Sequence, residues 1–166
     1  ASNDKQQNLN ENTTVVFQTV STTVELRNSL GVLLEEPGTV QYYSGGWRNY
    51  GVSENGIATR ELLPNNYSFR MTHAYISSDK SQNVGENSSV TFSTVLCTIT
   101  ALNNQNQPIE GVRINYYSGG WRQIGLTSNG QITKELLPVN LTFRAIYGTI
   151  QQDKAQSVEF ILNTGE

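Results

Sequence analysis

The chain has 166 residues, with 11 basic and 14 acidic side chains, a net charge of −3, and single Cys, His and Met residues. Hydrophobic residues make up 36% and charged residues 15%, both low for a globular domain, and Ser, Thr, Asn and Gln fill the gap with 62 positions. No run of about 18 apolar residues occurs, so no membrane-spanning helix is expected. No leader peptide is expected from the opening residues, the thinly spread basic residues leave no footprint for nucleic acid, and one cysteine forms no internal disulfide.

In chain order, residues 1–20 begin polar and end in Thr14–Val20, which is apolar, β-prone and uncharged. That stretch is predicted to be a strand that seeks an exposed sheet edge, on the next unit or on a neighbouring molecule. Beyond it the periodicity is that of strands. Val24 and Leu26 alternate with Glu25 and Arg27, and Tyr67, Phe69, Met71 and His73 alternate with Ser68, Arg70, Thr72 and Ala74. Turn signals such as Pro37-Gly38, Ser44-Gly45-Gly46, Asn55-Gly56 and Pro64-Asn65-Asn66 fall every eight to twelve residues, the spacing of an all-β sandwich. The predicted strands of a first unit are 22–28, 38–44, 47–52, 57–62, 66–73, 75–82 and 88–94. Those of a second are 96–102, 111–117, 121–126, 131–136, 140–147, 149–155 and 157–163.

The two sets are copies. Tyr42-Tyr43-Ser44-Gly45-Gly46-Trp47-Arg48 returns 74 residues later as Tyr116-Tyr117-Ser118-Gly119-Gly120-Trp121-Arg122, and 22 of 43 positions are identical between residues 40–82 and 114–156. Upstream the offset is 75: residues 4–17 match 79–92. The stretch from Asp153 onward matches the same segment a third time with a shorter loop. The expected organisation is therefore a piece of a longer array. Residues 1–20 would be the tail and last strand of a preceding repeat, 21–95 one β-sandwich repeat and 96–166 another, stacked as a rod-like array of Ig-like or prealbumin-like antiparallel sandwiches.

Each unit carries a strand that opens on Gly and Val (Gly38-Thr39-Val40; Gly111-Val112), an Asn-Gly turn, and Leu-Pro-x-Asn followed by x-x-Phe (Leu63–Phe69; Leu137–Phe143). This order resembles the carboxypeptidase-regulatory-like, Cna-B-type and transthyretin-like group of β-sandwiches. The resemblance implies a stalk of a bacterial surface protein or an accessory module beside an enzyme. It departs from the Cna-B pattern in one respect: the first strands, 22–28 and 97–103, contain no Lys for an intramolecular isopeptide bond.

The repeated Tyr-Tyr-Ser-Gly-Gly-Trp-Arg motif supplies the candidate ligand-binding residues Tyr43, Trp47, Arg48, Tyr117, Trp121 and Arg122. A flat indole beside a tyrosine and an arginine suits the C–H face of a sugar ring and adds directional donors. The competing reading is structural: the tryptophans pin a hairpin or pack against a neighbouring unit while Arg48 and Arg122 stack on aromatic faces. Glu61/Glu135 and Arg70/Arg144 recur together and are expected to form outward cross-strand ion pairs. Asp79-Lys80 and its matches are expected to be solvated charges of a loop or an edge strand. His73 and Cys97 each occur in one copy only and are expected in the core. No catalytic residue, metal or cofactor is expected. The function expected is that of a non-catalytic spacer or fibre-forming adhesion module of a secreted or cell-surface protein. A carbohydrate-binding module built on Trp47 and Trp121 and an accessory domain of an extracellular enzyme are the alternatives. The partners expected are neighbouring repeats, a glycan or surface polymer, and further copies engaged through Thr14–Val20.

Overall fold

The computed structural model of the chain describes residues 4–157, and every regular element among them is a β-strand. In chain order these are β1 (Val20–Arg27), β2 (Thr39–Tyr43), β3 (Trp47–Val52), β4 (Ile57–Leu62), β5 (Asn66–His73), β6 (Ile76–Asn83) and β7 (Ser89–Ser93), then β8 (Val95–Thr100), β9 (Arg113–Tyr117), β10 (Trp121–Leu126), β11 (Gln131–Leu136), β12 (Asn140–Tyr147) and β13 (Ile150–Ser157). The chain divides into two compact units. One holds residues up to Arg27, Val32–Thr72 and Ser77–Phe92; the other holds the turns Asn28–Gly31 and His73–Ile76 together with Ser93 onward.

The first unit is a sandwich of a three-stranded sheet, β4-β1-β7, and a four-stranded sheet, β3-β2-β5-β6. Alternation builds its core. Thr22, Val24 and Leu26 of β1, Val40 of β2, and Tyr67, Phe69 and Met71 of β5 are buried, with Val90 and Phe92 of β7 closing the open side of β1. Tyr42, Tyr50, Tyr67 and Phe69 meet edge to face at centroid separations of 5.8–6.3 Å, the geometry that ring quadrupoles favour. A bulge where the β2–β3 register shifts at Val40/Gln41 accompanies Tyr50, whose hydroxyl donates to the Thr22 carbonyl oxygen. The Asn55-Gly56 turn takes positive φ at both residues (51° and 80°), as a two-residue hairpin requires. A Cβ at Gly56 would lie 2.8 Å from the Leu26 carbonyl oxygen.

The second unit repeats the four-stranded sheet as β10-β9-β12-β13, with a bulge at the matching place (Gln123/Gly125), and pairs β11 with β8. All seven strands expected of the first unit are present, as are six of the second, each within about three residues of the expected bounds. The seventh, expected at 157–163, lies outside the described residues except for Ser157, which ends β13.

Three expectations are corrected. Thr14–Thr19 forms no strand; only Val20 of the expected strand enters β1, because a strand exists by pairing and this stretch has no ladder partner among the described residues. The inward face of β12 departs from that of β5: Leu141 and Phe143 are buried, but Ala145 is half-buried and Tyr147 is exposed. Cys97 is half-buried and not sealed in a core, and burial raises its thiol pKa.

Candidate functional site

Tyr43, Trp47, Tyr117 and Trp121 lie on the outward face of each four-stranded sheet, and Arg48 and Arg122, the next residues along β3 and β10, lie on the other face, opposite Tyr42 and Tyr116. The β2–β3 hairpin turns through Ser44-Gly45-Gly46, with Gly45 at φ 66°, and brings Tyr43 opposite Trp47. Their rings meet edge to face at 5.6 Å, and Tyr117 and Trp121 repeat the pair at 5.4 Å. Both tryptophans are half-buried, while Tyr43 and Tyr117 are half-exposed.

The arginine over each indole is not the one inside the motif. Arg70, on β5, places its guanidinium 4.1 Å from the centroid of Trp47, and Arg144, on β12, does the same at 3.8 Å over Trp121. Behind the stack each guanidinium forks onto a carboxylate. Arg70 Nε and Nη2 donate to the two oxygens of Asp79 at 2.7 Å each, and Arg144 does the same to Asp153. The hydrogen-bonded guanidinium holds each aspartate below the usual carboxylate range. Each unit thus carries a line of Tyr, Trp, Arg and Asp across its outer face.

This overturns the expected Glu61–Arg70 and Glu135–Arg144 pairs. Glu61 stands on β4, in the other sheet of its unit, and is exposed. Glu135 instead accepts hydrogen bonds from the backbone N–H and hydroxyl of Ser29 and from the Thr94 hydroxyl. Asp79 is, as expected, an exposed charge on an edge strand, β6, and its partner is Arg70. Turn arithmetic would have found the partner: a two-residue turn at Ala74-Tyr75 pairs residues whose numbers sum to 149, and Arg70 and Asp79 do.

Arg48 is exposed, opposite Tyr42. Arg122 has its own aromatic partner, with its guanidinium 3.7 Å from the centroid of Tyr75. The turn that carries Tyr75 groups with the second unit, and two more motif residues hold it. The Tyr116 hydroxyl donates to the Ala74 carbonyl oxygen and the Ser118 hydroxyl to that of Tyr75, each at 2.7 Å. Ala74 and Tyr75 both have positive φ, 49° and 63°, which is costly for residues with a Cβ and calls for such support. His73, just before this turn, is buried as expected.

No family model and no curated protein matches the chain. Among solved structures the chain is similar to the Bacillus anthracis TIE protein, at 13% identity and a TM-score of 0.36, over 85% of this chain and 31% of that one. It is similar also to the Streptococcal ancillary pilin, at 12% identity and a TM-score of 0.36, over 85% of this chain and 59% of that one. The chain spans less than two thirds of either.

Proposed function

We propose that this chain is a non-catalytic segment of tandem β-sandwich repeats, 21–95 and 96–166, in an extracellular or cell-surface protein. Its role is to space other domains or build a fibre, and copies associate through residues 14–20. The observation that carries this reading is the use made of the repeated motif. One face of each indole lies under an arginine whose donors are already forked onto an aspartate. Tyr116, Ser118 and Arg122 hold a strained turn. Such residues commit their polar and aromatic capacity to cohesion of the protein itself. The polar, weakly charged composition and the near absence of cysteine fit an array outside the cell.

A glycan array separates this from sugar recognition at Trp47 and Trp121. The wild-type chain is expected to give no signal that the Trp47→Ala/Trp121→Ala variant loses. A glycan bound by the wild type and lost in the folded variant would overturn the reading in favour of a carbohydrate-binding module.

A further inference from the structure

The first unit is threaded so that its first and last strands lie side by side. β1 has β4 on one edge and β7 on the other. Toward β4 it is antiparallel: Val20 stands opposite Leu62 and Glu25 opposite Ile57. Toward β7 the order is reversed. The Thr23 N–H donates to the Ser88 carbonyl oxygen at 2.8 Å, and further along both strands the Thr91 hydroxyl donates to Glu25 Oε2 at 3.4 Å. Residue numbers rise together on the two strands, so β7 runs parallel to β1. In a parallel ladder an N–H that reaches residue 88 sets residue 23 beside 89, and so carries 24, 25 and 26 beside 90, 91 and 92. Burial agrees with that register: Val24, Leu26, Val90 and Phe92 are all buried.

Parallel order puts the two points where the chain passes through this unit at opposite ends of one ladder. The chain enters β1 at Val20 and leaves β7 at Ser93. Tension in the chain therefore draws β1 toward its N-terminal end and β7 toward its C-terminal end, along the strands and in opposite senses. The evenly spaced bonds between the strands are then loaded together. The antiparallel partner offers the contrast. Residues 20 and 62 stand at the same end of the β1–β4 ladder, and drawing them apart opens that ladder one bond after another. Side chains oppose sliding as well. A slip of β7 by one residue would turn Val90 and Phe92 out of the core and Thr91 into it. The Glu25 carboxylate that holds the Thr91 hydroxyl also accepts from Arg27 Nε at 2.8 Å. From the other sheet, Lys80 Nζ of β6 donates to the Thr91 carbonyl oxygen at 3.1 Å. A single residue, Thr94, lies between β7 and β8, so the chain that leaves the ladder carries no slack.

We propose that the parallel β1–β7 ladder is a mechanical clamp through which the first unit carries tension along the chain. Neither strand contains a cysteine or a lysine, so the clamp is made of hydrogen bonds and apolar packing alone. Its resistance is directional. Forced unfolding is governed by the rate of crossing the first barrier, and that barrier depends on which residues are pulled, whereas the free energy of unfolding does not. A small sandwich of modest equilibrium stability thus resists load along the one direction in which a fibre or spacer is stretched. The proposal rests on the spacer or fibre reading and adds how the unit bears load.

Single-molecule force spectroscopy on the full chain tests this, with handles on cysteines introduced in a Cys97→Ser background. One pair of handles, Gln18→Cys with Leu96→Cys, pulls β1 against β7. The other, Gln18→Cys with Glu61→Cys, pulls β1 away from β4. All three handle positions are exposed, and denaturant titration of the two chains before coupling is expected to give the same stability for both. At one loading rate the first pair is expected to need severalfold more force than the second to unfold the first unit. Equal forces in the two directions, or a lower force across Gln18 and Leu96, would overturn the clamp. They would leave the spacer role standing, since the glycan array tests that role by itself.

Discussion

Arg70 and Arg144 each make two contacts at once, a stack on an indole and a fork onto an aspartate. Their placement shows what was hidden in the sequence. Alternation put Arg70 on the outward face of β5, but the strand order β3-β2-β5-β6 decides that Trp47 and Asp79, and not Glu61, stand within its reach. The aspartates also give these lines a pH signature. Their carboxyls titrate below the ordinary value in the folded chain, so they contribute stability above about pH 4 that is lost as pH falls through the depressed folded value. An Asp79→Asn/Asp153→Asn variant is expected to show a flatter loss of unfolding free energy below pH 4 than the wild type, measured by denaturant titration at several pH values. Tyr50 gives the alkaline counterpart. Burial pushes its hydroxyl up to about 12, so its contribution is complete below pH 10 and is lost as pH rises from there toward 12. Tyr50→Phe is expected to remove that part of the alkaline destabilisation, and absorbance at 295 nm to lose a tyrosine ionisation near pH 12.

At the scale of elements the two copies solve one packing problem in two ways. Gly38 lies against Met71: a Cβ there would stand 2.5 Å from the methionine sulfur. Seventy-four residues later the pair is Val112 and Ala145, with bulk moved from β12 to the residue before β9. The register that sets Val40 opposite Met71 also sets Ile114 opposite Ala145, so the exchange is local. Gly38→Val alone is expected to cost about 1–3 kcal/mol by overpacking, and Met71→Ala about 2–5 kcal/mol by leaving a cavity. Together they are expected to cost less than their sum, since each relieves the other, as a double-mutant cycle on equilibrium unfolding would read. Strands and turns were legible in the sequence because alternation and Gly or Asn at turns are local signals. This exchange was not, because it depends on cross-strand register. The missing strand at 14–19 was misread for the opposite reason: its composition is that of a strand, but its pairing partner is not local.

At the scale of the molecule, repetition was the most informative feature, since it gave strand positions twice over and exposed where the copies differ. The lone Cys, His and Met that drew attention as single residues mark those differences. Met71 is half of the packing exchange, Cys97 is half-buried on β8 where its match Thr22 is buried on β1, and His73 is buried beside the turn that the second copy of the motif holds. What recurs in both units is a line of Tyr, Trp, Arg and Asp, to which the proposed function gives a cohesive role. The most direct test is equilibrium unfolding of Trp47→Ala and Arg70→Ala singly and together, repeated for Trp121→Ala and Arg144→Ala. The expected result is a loss of stability for each single variant and a coupling of about 0.5–1.5 kcal/mol within each pair, similar in both units. Additive effects near zero in both units would contradict a cohesive role and return the tryptophans to the service of a ligand.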